Sequence, residues 1–202
     1  MTDKATSTAL AHLKKSDPVM AGLIHIHGPS LVSDIIKKKN NPFHILVRTI
    51  INQQLSIKAG QTIVMRVLKK QGGRVFNAEK LQKIKDPAIR GCGVSTNKLR
   101  YIRTISQAVI DKELDFRILK TLDDDAVVNT LTQYPGIGPW TAELFLISAL
   151  NRLDVLPLGD LILRKSMQQH YQLDSDCDEH IYRKIAEAWR PYRTIASRYL
   201  WS

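Results

Sequence analysis

Tyr134-Pro-Gly-Ile-Gly-Pro-Trp-Thr141 is the stretch on which the reading of this chain turns. On its N-terminal side Ala126, Val127, Thr130 and Leu131 share one side of a helix read from Asp123 to Gln133. On its C-terminal side Leu144, Ile147 and Ala149 face inward on a second helix from Trp140 to Leu150. Between the two, Gly136 and Gly138 permit positive φ and leave backbone amides uncovered. The second helix begins there with its free amides and the positive end of its dipole outward. Such a turn is an anion site, best suited to phosphate. A plain αα-hairpin whose glycines only make the turn fits the same local pattern, so the rest of the chain has to decide.

Outward from the hairpin, helical spacing recurs almost everywhere, as in Leu46, Ile50, Ile51, Leu55 and then Ile63, Val64, Val67, Leu68. No segment sustains strand alternation, so the pattern predicts an all-α fold. Breaks at His27-Gly-Pro29, Asn40-Asn-Pro42, Gln71-Gly-Gly73, Gly91-Cys-Gly93 and Pro157-Leu-Gly159 divide it into about nine or ten helices. Asp17-Pro18 and Ser95 read as helix starts, because their side chains can satisfy the first free amides. No repeat and no Gly/Ser linker interrupts the short connections. The subdivision read from the sequence is a helical barrel lobe over 41–134 and a second lobe made by 1–40 with 135–202, the hairpin lying at the junction.

The 202 residues are 44% hydrophobic, enough for a real core. Lys and Arg number 30 against 19 Asp and Glu, a net charge of +11 with a pI near 9.7, the sign of a protein that meets polyanions. No apolar run approaches the roughly 18 to 20 residues of a membrane span, and Met1 to Lys15 lacks an apolar signal core. The expectation is an intracellular protein, with bacterial cytoplasm favoured and the nucleus as the alternative. Cys92 and Cys177 are too few for a four-thiolate zinc site or an iron–sulfur cluster and read as reduced thiols. His25-Ile-His27 points its two rings to opposite sides of a helix, and the six histidines suggest no metal site.

Asp160 follows Pro157 and Gly159 and precedes the apolar run Leu161-Ile-Leu163, the place of a helix N-cap. A carboxylate there, beside free amides and the positive dipole end, suits stabilisation of developing positive charge. Capping alone explains it equally well on local sequence. Asp154, the nearest rival, reads as a loop residue that shapes a turn.

The full string Leu131-Thr-Gln-Tyr-Pro-Gly-Ile-Gly-Pro-Trp-Thr-Ala142 closely resembles the helix-hairpin-helix element of DNA glycosylases. His12-Leu-Lys-Lys-Ser-Asp-Pro18, Ile50-Ile-Asn-Gln-Gln-Leu-Ser56, Asp154-Val-Leu-Pro-Leu-Gly-Asp160 and Trp189-Arg-Pro-Tyr-Arg193 resemble successive blocks of the alkyladenine branch of that superfamily. The resemblance covers nearly the whole chain. It implies a two-lobed fold like that of the compact members, without the additional N-terminal β domain of larger ones, and excision of alkylated purines from double-stranded DNA by a monomer.

Residue by residue, the resemblance implies that Asp160 is the catalytic carboxylate. It makes Gln54, with Leu55 beside it, the wedge that fills the gap left by an extruded base, and Trp140 and Trp201 the stacking faces for that base. Leu144, a helical turn beyond Trp140, stands where some relatives have tyrosine. Gly136 and Gly138 would grip the backbone with charged support from Lys98, Arg100 and Arg164, and a Na or K ion would be held by the carbonyls of Thr132, Tyr134 and Gly136. The chemistry itself requires no cofactor. The hairpin position that holds a Schiff-base lysine in bifunctional relatives is Trp140 here, which has no amine to attack with, so base removal without strand cleavage is expected; Lys165 is the fallback amine. A cleft between the lobes would carry Trp140, Asp160 and the wedge loop. The Lys37-Lys-Lys39 and Lys69-Lys70 runs read as solvated faces outside the site. Two alternatives remain from the sequence: a catalytically silent DNA-binding module, and a glycosylase for mismatched or oxidised bases.

Overall fold

The structure, a computed structural model, describes residues 4–32 and 40–202, so the Lys37–Lys39 run lies outside the described residues. Among them it has thirteen α-helices, one 3-10 turn and no strand, which agrees with the all-α reading. The count exceeds the sequence expectation because three helices, α5 (Ala78–Lys83), α6 (Asp86–Arg90) and α8 (Phe116–Leu119), are too short to show a period. No helix among the described residues is long and apolar enough to cross a membrane. Cys92 and Cys177 are free thiols.

The chain forms two compact units, Asn40–Leu150 and Met1–Lys39 with Asn151–Ser202. The boundary read from the sequence at 134 therefore lies at 150. The reason is packing: α10 (Pro139–Ala149), the second helix of the hairpin, lies against α3 (Pro42–Asn52) and α9 (Asp124–Thr132), so the chain leaves the middle unit only after α10 has been buried.

In the middle unit α3 is the central element. Phe43, Ile45, Leu46, Val47, Ile50 and Ile51 are all buried on it, so it is apolar nearly all round and must be surrounded. α4 (Ile57–Gln71), α7 (Thr96–Ile110) and α10 pack around it. Burial of side chains of this kind is worth about 1.5–3 kcal/mol each. The start of α3 is fixed locally: Pro42 presets the first turn and the Asn41 side chain accepts from His44 N at 2.9 Å. His44 then joins α3 to the loop before α5. Its Nδ1 accepts the Phe76 amide at 3.2 Å, and burial together with Arg48 pushes its pKa below the usual imidazole value.

In the terminal unit α1 (Lys4–Ser16), α2 (Pro18–His27), α11 (Leu161–Tyr171), α12 (Glu179–Glu187) and α13 (Arg193–Leu200) bury Leu13, Met20, Met167, Tyr182, Trp189 and Tyr199. Asp17 is the polar centre of that core. Its Oδ1 caps α2, accepting from Val19 N at 2.8 Å and Met20 N at 3.1 Å, while its Oδ2 accepts from the Tyr171 hydroxyl at 2.6 Å and Trp189 Nε1 at 2.7 Å. Burial, then the bond to Asp17, holds the Tyr171 phenol protonated far above the tyrosine range. A buried carboxylate is tolerable only with such partners.

Candidate active site

The hairpin runs from the end of α9 through Gln133 to Gly138 and into α10. Ile137 is buried and its amide donates to Tyr134 O at 3.1 Å, so the turn is anchored in the core by its centre. Gly136 has φ of 82°, and a Cβ there would fall 2.0 Å from the Tyr101 ring; both strain and space demand glycine. Gly138 differs. It is the N-cap of α10, makes no side-chain cap, and faces open space where a Cβ would sit. The first-turn amides of α10 are thus presented at an exposed tip with the positive end of the helix behind them, the geometry for a phosphate. Trp140 and Leu144 lie one turn apart on α10, both half-buried. Of the three carbonyls expected to hold a cation, Gly136 O receives the Gln53 side-chain amide at 2.8 Å and Tyr134 O the Ile137 amide at 3.1 Å, and each keeps a second lone pair.

The loop from α3 to α4 carries the expected wedge. Gln54 is exposed and held at φ of 55°, a left-handed conformation uncommon outside glycine, and Leu55 beside it is 39% exposed. The surrounding bonds explain how that strain is sustained. Gln53 Nε2 donates to Gly136 O at 2.8 Å and to Thr141 Oγ1 at 3.0 Å, tying the loop to the hairpin. Lys98 Nζ donates to Ile51 O at 2.8 Å and Gln53 O at 2.6 Å. Lys98, expected to support the DNA backbone, is bonded to carbonyls at the C-terminal end of α3, where a cation also meets the negative end of the helix dipole. Burial lowers its pKa from the ordinary lysine value. Below the loop, Asn52 packs where any side chain on Gly60 would stand: a Cβ there would lie 2.1 Å from Asn52 Oδ1. Ser56 then caps α4, accepting from Ala59 N at 3.3 Å.

Asp160 is the N-cap of α11. The turn before it closes with Asp160 N donating to Pro157 O at 2.9 Å. Three donors converge on its Oδ1: Ile162 N at 2.9 Å, Leu163 N at 3.0 Å and the indole Nε1 of Trp201 at 3.3 Å. Trp201, expected as a stacking face, is the C-cap of α13, packs against the core of the terminal unit and fixes the carboxylate through its ring N–H. Asp154 is fully engaged elsewhere: Arg193 Nε and Arg190 Nη1 donate to it at 2.7 and 2.9 Å. Arg164 lies over the Tyr182 ring at 5.3 Å and Arg100 over Tyr101 at 5.5 Å, Arg100 remaining exposed. Lys165 is exposed on α11. Gln53 and Tyr101 were missed by sequence reasoning. Only the glycine at 136 hinted that something must press close to it.

The family model for HhH-GPD superfamily base excision DNA repair proteins matches residues 47–191. DNA-3-methyladenine glycosylase 1 of Schizosaccharomyces pombe is 30% identical over 192 residues, 94% of this chain and 84% of its own length. The solved structure of the Schizosaccharomyces pombe 3-methyladenine DNA glycosylase in complex with abasic DNA is similar, with a TM-score of 0.81 and 27% identity, covering 96% of this chain and 95% of that one. DNA-3-methyladenine glycosidase from Bacillus halodurans gives a TM-score of 0.72 at 36% identity, covering 92% and 88%. With the hairpin, the braced loop and the capped aspartate in place, the match over most of the length is decisive: this chain belongs to the HhH-GPD superfamily of base excision DNA repair proteins.

Proposed function

We propose that this protein is a monofunctional DNA glycosylase that extrudes alkylated purines from duplex DNA and hydrolyses their N-glycosidic bond, acting as a monomer. The observation that carries the reading is the carboxylate of Asp160, oriented by two backbone amides and the Trp201 indole at the head of α11. Relatives named for 3-methyladenine support the substrate class.

In this reading the hairpin amides hold a phosphate and Gln54 enters the stack in place of the extruded base, a step that is least costly when the base is damaged. Trp140 stacks on that base. An N-alkylated purine is cationic, and an aromatic face favours it by roughly 0.5 to 2 kcal/mol over a neutral base. The C1′–N bond then breaks, its electron pair leaving with the purine, which becomes neutral. Positive charge builds on the sugar, where Asp160 stabilises it. Water forms the new bond to C1′ and gives up a proton through the same carboxylate. Leu144 leaves the aromatic enclosure incomplete, so the enzyme relies on the lability of cationic adducts and prefers 3-methyladenine and 7-methylguanine to neutral lesions.

The test is incubation of the protein with methylated duplex DNA without added metal, followed by chromatography of released bases and by gels run before and after alkali. Free methylpurines with nicks only after alkali are expected. Nicks before alkali would indicate a lyase, and tight binding without release would favour a silent DNA-binding module. Hypoxanthine or ethenoadenine excised as fast as 3-methyladenine would defeat the preference for cationic bases.

A further inference from the structure

Between Asp34 and Glu79 the sequence has no carboxylate side chain, and over residues 40–78 of that stretch it carries Arg48, Lys58, Arg66, Lys69, Lys70 and Arg74. The fold gathers four of these. α4 buries Gly60, Val64, Val67 and Leu68, so Lys58, Thr62, Arg66 and Lys69 come out on its opposite face at helical spacing, all exposed. They line an open furrow with Arg74 from the loop after α4, over a floor that includes Met65 and Leu68. Lys58, Thr62 and Arg66 also line the adjoining hollow, which reaches Ser56 and Gly93. From Gly93 a third hollow continues past Ser95 and Arg100. Its one carboxylate, Asp86, is paired with Arg103. The furrow is therefore continuous and cationic, and at Ser56 it begins two residues from the exposed Gln54.

We propose that this furrow along α4 is a second DNA site, which takes the phosphodiester backbone of the duplex flanking the lesion through Lys58, Arg66, Lys69 and Arg74. The proposal rests on the glycosylase reading, and it deepens it by giving the enzyme a grip on undamaged flanking DNA besides the hairpin. Charge favours a polyanion, and the junction with the wedge loop favours the same DNA that the wedge enters. Dimensions agree: the 15 residues of α4 span about 22 Å, or about six base steps along a strand. The mixture of cations with Met65 and Thr62, without a donor array shaped to base edges, suits backbone and sugar rather than sequence readout.

The test compares the whole protein with a variant carrying Lys58→Gln, Arg66→Gln, Lys69→Gln and Arg74→Gln. All four positions are exposed, so folding is checked by thermal melting and should be retained. Affinity for a duplex of about 25 base pairs with a central abasic site is measured against NaCl concentration. Each lost phosphate contact should flatten the log–log slope by about 0.9, so the variant should lose about 3 to 4 in slope and tenfold or more in affinity near 0.15 M salt. Trimming the duplex to four base pairs on one side of the lesion should weaken the parent and leave the variant unchanged; trimming the other side should affect both alike. Single-turnover excision at saturating enzyme should be the same for both. A parent that binds and excises normally, with a variant of unchanged slope and affinity on the long duplex, would overturn the furrow alone. A parent that binds no duplex would overturn the glycosylase reading with it.

Discussion

Gly136 and Gly138 stand two residues apart in one turn, yet their replacement should have different consequences. Gly136→Ala meets both a left-handed φ and the Tyr101 ring, so we predict a loss of about 1–3 kcal/mol in stability, read by urea denaturation. Gly138→Ala has open space and an ordinary φ of −92°, and should cost less than about 1 kcal/mol. Equal losses at the two positions would contradict this account of the hairpin. Trp201 is the other residue whose chemistry separates two roles. Trp201→Phe keeps an aromatic face but removes the donor to Asp160 Oδ1. Excision under single-turnover conditions should slow about tenfold, with affinity for abasic DNA unchanged, because a misaimed carboxylate affects the reaction and not the binding. An unchanged rate would leave Trp201 as a packing or stacking group only. Asp160 and the two glycines were legible in the sequence because caps and tight turns are written in adjacent residues. The Trp201 bond was not, since its partners are 41 positions apart.

In the proposed mechanism extrusion depends on the loop between α3 and α4, and the order of that loop comes from outside itself. Lys98 of α7 and the Gln53 bonds to the hairpin hold Gln54 in place. Lys98→Met should slow excision of a base-paired lesion by about tenfold or more, while a lesion in single-stranded DNA, which needs no wedge, should be excised at the parental rate. Equal slowing on both substrates would assign Lys98 to something other than the wedge. This brace was invisible in the sequence: Lys98 is 45 and 47 residues from its acceptors and Gln53 is 83 and 88 from its own. Periodicity places a lysine on a helix face and says nothing of what faces it. A second coupling joins α3 to the loop before α5 through His44, which accepts the Phe76 amide in its neutral form. Its pKa is lowered in the folded protein, so between that value and the ordinary 6.5 the unfolded chain holds the extra proton and stability rises with pH. The urea midpoint should therefore be highest above about pH 6.5 and fall as acid titrates the imidazole, and His44→Asn should flatten that limb.

At the scale of the molecule, two helical units each with their own core carry a charge of +11. The all-α class was legible because apolar spacing runs through almost every segment. The position of the division was not, because only packing shows that α10 belongs with α3. Residues of three sequence blocks that resemble the family also proved to be architecture: Asp17 with Trp189, and Asp154 with Arg190 and Arg193, hold the terminal unit together. Asp17→Ala should cost about 3 kcal/mol or more by leaving the Trp189 and Tyr171 donors unpaired in the core. In the proposed mechanism, what separates a repair enzyme from a protein that merely binds DNA is the single carboxylate at the head of α11. The most direct measurement is the single-turnover rate of 3-methyladenine release by Asp160→Asn against the parent, with affinity for abasic duplex determined in parallel. We predict a rate at least about 100-fold lower with affinity within a few-fold of the parent. Release by the variant at the parental rate would contradict the account.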